Sequence, residues 1–116
     1  RAGGRGRQIA RLLAPRTQDY FVLKPMHSGF YLTPLSLLLE HLGVRRLILT
    51  GLLADSCVLF TAHDAYLHRY RITVPPDCVA SIEPAHAEQA LEHMRRNLKA
   101  LIKPSTKIQF RGEHGA

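Results

Sequence analysis

Residues Arg45–Asp77 read RRLILTGLLADSCVLFTAHDAYLHRYRITVPPD, and this stretch decides the fold. Arg46–Thr50, RLILT, is a short apolar run closed by Gly51, the pattern of a strand buried on both faces. The loop LLADS follows, and a helix is expected from about Ser56 to His68, with Val58, Ala62, Ala65 and Tyr66 roughly on one face. Tyr70–Val74, YRITV, is a second apolar strand, ended by Pro75 and Pro76, which have no N–H to give to a ladder. Strand, helix and strand in about 30 residues make a βαβ unit, whose crossover leaves the two strands parallel.

The same rhythm extends in both directions. Upstream, Tyr20–Lys24, YFVLK, is bounded by Asp19 and Pro25 and reads as a further buried strand. Thr33 then caps a helix with Pro34 at its first position, because a threonine oxygen accepts from the orphan amides and proline lacks one. That helix runs to about Leu42, and Gly43 supplies a left-handed stop. Downstream, Pro84 opens a helix to about Leu98 with Ala87, Leu91 and Met94 inward, and Lys107–Phe110 is expected as a fourth, edge strand. Residues 1–7, rich in Gly and Arg, read as loose, and residues 8–13 as one amphipathic helical stretch ended by Pro15. Strands recurring about every 25 residues with helices between them imply an α/β fold, a three-layer αβα sandwich on a mostly parallel sheet.

Composition sets the outer limits. With 116 residues, 46% of them hydrophobic and 22% charged, the chain fits one globular domain and excludes disordered, collagenous and disulfide-scaffold classes. No apolar run approaches the roughly 20 residues that span a bilayer, so no membrane segment is expected. The net charge of +7 is concentrated at the two ends, while the body is slightly acidic. That distribution lacks the basic face interleaved with readers that nucleic acid requires, and no nucleic-acid partner is expected. Cys57 and Cys78 form no CxxC and no Cys/His metal spacing, which fits a reduced, cytoplasmic setting. The seven histidines contain no i, i+4 pair; His63/His68 and His86/His93 lie five and seven apart, a spacing of solvated helix faces. No GxSxG, P-loop or GxGxxG motif occurs.

Parallel topology brings every strand-to-helix loop to one sheet edge, where open α/β sheets bind ligands. The residues expected there are Lys24, the Gly51–Cys57 loop and Asp77. Cys57 falls at the start of the following helix, where orphan amides and the helix dipole favour a thiolate, and a neighbouring Lys24 ammonium would favour it further. The plainer alternative is a small buried Cys57 and a surface Lys24. Asp64, two turns beyond Cys57, reads as a structural hydrogen-bonder, Asp77 as a residue that orients its loop or caps a turn, and Cys78 as a packing residue.

The run from Tyr20 to Ala80 resembles the isochorismatase-like cysteine hydrolases, which include nicotinamidases and N-carbamoylsarcosine amidases. The pieces that carry the resemblance are the segment ending in Lys24, HSGFYLTPL (His27–Leu35), RRLILTGLLADSCVLFTAHDAY (Arg45–Tyr66) and YRITVPPDCVAS (Tyr70–Ser81). The resemblance implies a site in which Cys57 is the nucleophile and Lys24 its charged partner. It also implies a cis peptide between Leu52 and Leu53 that turns the Leu53 amide beside that of Cys57 as an oxyanion hole. Phe30 and Tyr31 resemble pocket-wall aromatics of that family, although a plain core role suits them equally well, and His27, just after Lys24 in the pocket-edge segment, is a candidate substrate contact.

By that resemblance the chain is a single partial domain, residues 1–116, lacking the first strand and the Asp at its end. Either it continues a longer domain upstream or it is a shortened member that cannot complete the triad. The metal ligands of the nicotinamidases belong to that upstream part, so no metal ligand and no cofactor is assigned here. The presence of Cys57 favours cleavage of a small amide or carbamoyl compound through a thioester over vinyl-ether hydrolysis, with a small molecule as substrate and a homo-oligomer as the assembly. The alternative is a catalytically inactive α/β module serving as an oligomer subunit or small-molecule binder.

Overall fold

The computed structural model describes residues 4–110. The described residues form four helices, α1 (Gly4–Leu12), α2 (Leu35–Leu42), α3 (Cys57–Leu67) and α4 (Pro84–Asn97), and five short strands. The strands are β1 (Arg46–Ile48), β2 (Gly51–Leu52), β3 (Arg71–Val74), β4 (Val79–Ala80) and β5 (Leu101–Ile102). All pairings are parallel: β3 lies between β1 and β5 in one sheet, and β2 pairs with β4 in a second. Arg46 stands opposite Arg71, and Thr73 opposite Leu101. The α/β class with parallel strands is therefore as the sequence implies.

The two sheets are one pair of chain paths interrupted by proline. The Leu49 amide still donates to Thr73 O at 2.9 Å. Beyond it Pro75 has no N–H to offer, and a single 3-10 turn, Pro76–Cys78, takes up the slack before Val79 pairs with Gly51. The interruption falls just before the loop that leads to Cys57.

Small residues let α3 approach the sheet. Ala62 and Ala65 are fully buried and Val58 nearly so, and α3 packs against β3, whose Ile72 and Val74 are also buried. Ala90 and Met94 of α4, with Leu98 and Ala100 after it, complete the core. Ala90 was not among the inward positions expected, whereas Ala87 and Leu91 are only partly buried against it. Gly43 ends α2 in the left-handed conformation, φ 70°, with its N–H donating to Glu40 O at 3.1 Å and that of Val44 to Leu39 O at 3.3 Å.

Several local expectations are corrected. Tyr20–Lys24 is not a buried strand: the segment is irregular, with Phe21 72% and Leu23 91% exposed. Its composition suits a central parallel strand, but among the described residues no strand offers it a ladder. Lys107–Phe110 is not a strand either; a 3-10 turn covers Ser105–Lys107, and the edge strand is β5. Lys99 adopts φ 56° and Ala100 N–H returns to Met94 O at 3.1 Å, so the chain turns straight from α4 into the sheet. Residues 4–7 are helical rather than loose, and residues 1–3 lie outside the described part. Helix α2 starts one residue later than expected, with Thr33 Oγ accepting from Leu35 N–H at 3.2 Å. Among the described residues no helix is long and apolar enough to cross a membrane.

Candidate active site

Helix α3 organises the site along its length, because the loop 24–30 is tied to it at successive turns. At its N-terminus Lys24 Nζ lies 3.6 Å from Cys57 Sγ and donates to Met26 O at 3.3 Å. One turn on, the His27 ring lies tilted on Phe60, with centroids 5.2 Å apart. The Gly29 amide donates to Thr61 Oγ1 at 2.9 Å, and Ser28 Oγ donates to Asp64 Oδ2 at 2.6 Å. At the far end Phe30 stacks on His68, centroids 5.0 Å apart, with Tyr70 behind it at 6.2 Å. Eleven residues at about 1.5 Å rise put these two ends about 16 Å apart.

The structure thus brings Lys24 and Cys57 together and leaves both accessible enough to react, Cys57 being half-buried and Lys24 exposed. Phe30 does not join them. It is buried in the core, 8% exposed, and serves as the wedge between the loop and the C-terminal end of α3. Tyr31 is exposed.

The Leu52–Leu53 peptide is cis. The Leu53 carbonyl accepts from the amides of Ser56 and Val58, each at 3.1 Å, and the Ala54 amide donates to Ala80 O at 2.8 Å. The amides of Leu53 and Cys57 themselves make no hydrogen bond with any described residue.

Four aspartates lie in the chain, and none of them forms a hydrogen bond or an ion pair with Lys24 or Cys57. Asp19 accepts from Arg16 N–H at 2.8 Å, and Asp64 from Ser28. Asp77 accepts from the Ser105 amide at 2.9 Å and from its hydroxyl, so it fastens its turn to the Ser105–Lys107 turn instead of facing the site. Those hydrogen bonds hold its carboxyl below the usual range. Asp55, part of the Gly-x-x-x-Asp-x-Cys-Val stretch that carries the resemblance, was given no role of its own by sequence. Its carboxylate accepts from Ser81 Oγ at 2.7 Å, which lowers its pKa and ties the Cys57 loop to the end of β4. The spacing Asp55-x-Cys57, with Ser81 just after the partner strand, was the available signal.

Another pairing hidden from sequence joins the helices: His63 of α3 and His93 of α4, thirty residues apart, place their Nε2 atoms 3.1 Å from each other. Among the described residues no group of three or more His, Cys, Asp and Glu is placed to hold a metal ion.

A cysteine with an ammonium 3.6 Å from its sulfur thus lies at the start of α3, in the loop that follows the parallel strand β2. Residues 1–106 match the Isochorismatase domain, and the chain belongs to that family. It is 46% identical over 104 residues to the isochorismatase family protein YaaI of Bacillus subtilis, covering 90% of this chain and 58% of YaaI. Among solved structures it resembles N-carbamoylsarcosine amidase from Thermoplasma acidophilum, with TM-score 0.75, 38% identity, and 83% of this chain and 54% of that one covered. It also resembles the nicotinamidase of Staphylococcus aureus, with TM-score 0.75, 31% identity, and 87% and 65% of the two chains covered. The chain accordingly spans between 54% and 65% of the length of these three proteins.

Proposed function

We propose that this chain carries the nucleophilic part of a cysteine hydrolase that cleaves small amide or carbamoyl compounds. The observation that carries the reading is the ammonium of Lys24 at 3.6 Å from Cys57 Sγ. A positive charge at that distance stabilises negative charge on sulfur and holds the sulfur at the mouth of the loop. The similarity to proteins named nicotinamidase and N-carbamoylsarcosine amidase supports the substrate class.

In this reading the Cys57 sulfur attacks the carbonyl carbon, and the oxyanion that forms is received by the amides of Leu53 and Cys57. Collapse breaks the C–N bond and expels ammonia or an amine, leaving a thioester on Cys57. Water then cleaves the thioester and restores the thiolate. Protonation of the leaving nitrogen and deprotonation of the water need an acid–base group, and the four aspartates here are committed elsewhere. That group is proposed to come from outside residues 4–110. His27 and Tyr31 are proposed as contacts for the substrate, and assembly as a homo-oligomer belongs to the same reading.

The test is turnover of a panel of primary amides and N-carbamoyl compounds by the protein that carries this chain, with and without Cys57→Ala. Loss of a nucleophile should lower kcat by at least about 10³-fold. Undiminished turnover would refute the reading. Saturable binding without turnover in the wild type would favour an inactive binding module.

A further inference from the structure

We propose that His63 and His93 form a two-histidine site for a divalent transition-metal ion, bridging α3 and α4 on the outer side of the helix pair. Their Nε2 atoms lie 3.1 Å apart, and the ring centroids 5.2 Å. Metal–imidazole bonds are about 2.0–2.1 Å, so two of them ending 3.1 Å apart would subtend about 98° at the ion. That angle falls between the cis angle of a tetragonal Cu²⁺ or Ni²⁺ site and the tetrahedral angle of Zn²⁺.

The two imidazoles are held by the backbone beneath them. His63 follows the fully buried Ala62, and His93 precedes the fully buried Met94, so neither helix can rotate to separate the pair without opening the core. Room for the waters of an ion exists beside them. A concavity of about 280 Å³ is lined by His93, Gln89, His86 and Asp55, and the Asp55 carboxylate adds negative charge to it.

Asn97 supplies the outer support. Its Nδ2 lies 3.1 Å from His93 Nδ1 and 3.2 Å from His93 O. With the amide donating to Nδ1, the ring proton sits on Nε2 and is shared with His63. For His93 to ligate through Nε2, that proton moves to Nδ1 by way of solvent, and the Asn97 amide gives up its hydrogen bond to His93 O and rotates so that its oxygen accepts it. No net proton is released in this exchange. Such an outer hydrogen bond fixes the tautomer and orientation of a ligating imidazole.

The experiment is titration of the 116-residue chain with Zn²⁺ by calorimetry and with Cu²⁺ by electron paramagnetic resonance. The variants are His63→Gln, His93→Gln, His41→Gln and Asn97→Asp, each checked for native circular dichroism. The expected result is one ion per chain, two imidazole nitrogens in the Cu²⁺ spectrum, and a Kd raised at least about tenfold in His63→Gln and in His93→Gln. His41→Gln, on the exposed face of α2, should stay within about twofold, and Asn97→Asp should bind several-fold more tightly, a gain that misfolding cannot produce. A wild type that binds no more tightly than the double variant His63→Gln/His93→Gln would overturn the proposal.

Discussion

The two ends of helix α3 are built to opposite specifications. At the C-terminal end Phe30 is buried between His68 and Tyr70, while Ser28 and Asp64 satisfy each other one turn earlier. At the N-terminal end the groups are half-buried or exposed, Lys24 approaches Cys57, and two amides have no partner among the described residues. The loop 24–30 connects both ends, so the packed end fixes the position of the open one. Stability is concentrated where chemistry is absent, and unsatisfied donors where chemistry is proposed.

Breaking the packed end should cost most. Phe30→Ala removes a buried ring from the wedge and should lower unfolding stability by about 3–5 kcal/mol, measured by denaturant titration. A smaller loss is expected midway. Thr61→Val keeps the shape but removes the acceptor of the Gly29 amide, costing about 1–2 kcal/mol, and it should disturb the Lys24–Cys57 spacing because Gly29 lies on the tether between them. Lys24→Met at the open end should change stability by less than about 0.5 kcal/mol, since Lys24 is exposed.

The smallest effect is expected in acid. Ser105 holds Asp77, and Ser81 holds Asp55, below the ordinary carboxylate value of 3.8. A carboxyl with a depressed folded pKa binds its proton less readily in the native state. Its contribution is therefore complete above the unfolded value and is lost as pH falls through the folded one. Unfolding followed from pH 6 to pH 2 should show stability declining only below about pH 4 from these two groups, and Asp77→Asn should flatten that decline.

Much of this was legible in the sequence, and the exceptions have physical causes. The βαβ unit and the stop at Gly43 follow from local patterning, because runs such as RLILT and RITV have few other ways to bury themselves. Cys57 at a helix start is a local feature as well. The Tyr20–Lys24 misreading arose because composition reports what a strand could bury, while pairing depends on a neighbour that sequence does not reveal. Lys107–Phe110 failed for a different reason: the left-handed turn at Lys99 moved the edge strand forward to Leu101. The Asp55–Ser81 tie and the His63–His93 pair join residues 26 and 30 apart through the packing of separate elements, which no periodicity encodes.

The central claim is that the open end of α3 holds a sulfur activated by Lys24. It is tested most directly by the rate at which iodoacetamide alkylates each thiol, followed by mass spectrometry in the wild type and in Lys24→Met. Both cysteines are half-buried, so exposure alone does not separate them. The account predicts that Cys57 reacts at least about tenfold faster than Cys78, and that Lys24→Met removes most of that difference. Equal rates at the two cysteines, or a Cys57 rate unchanged by Lys24→Met, would contradict it.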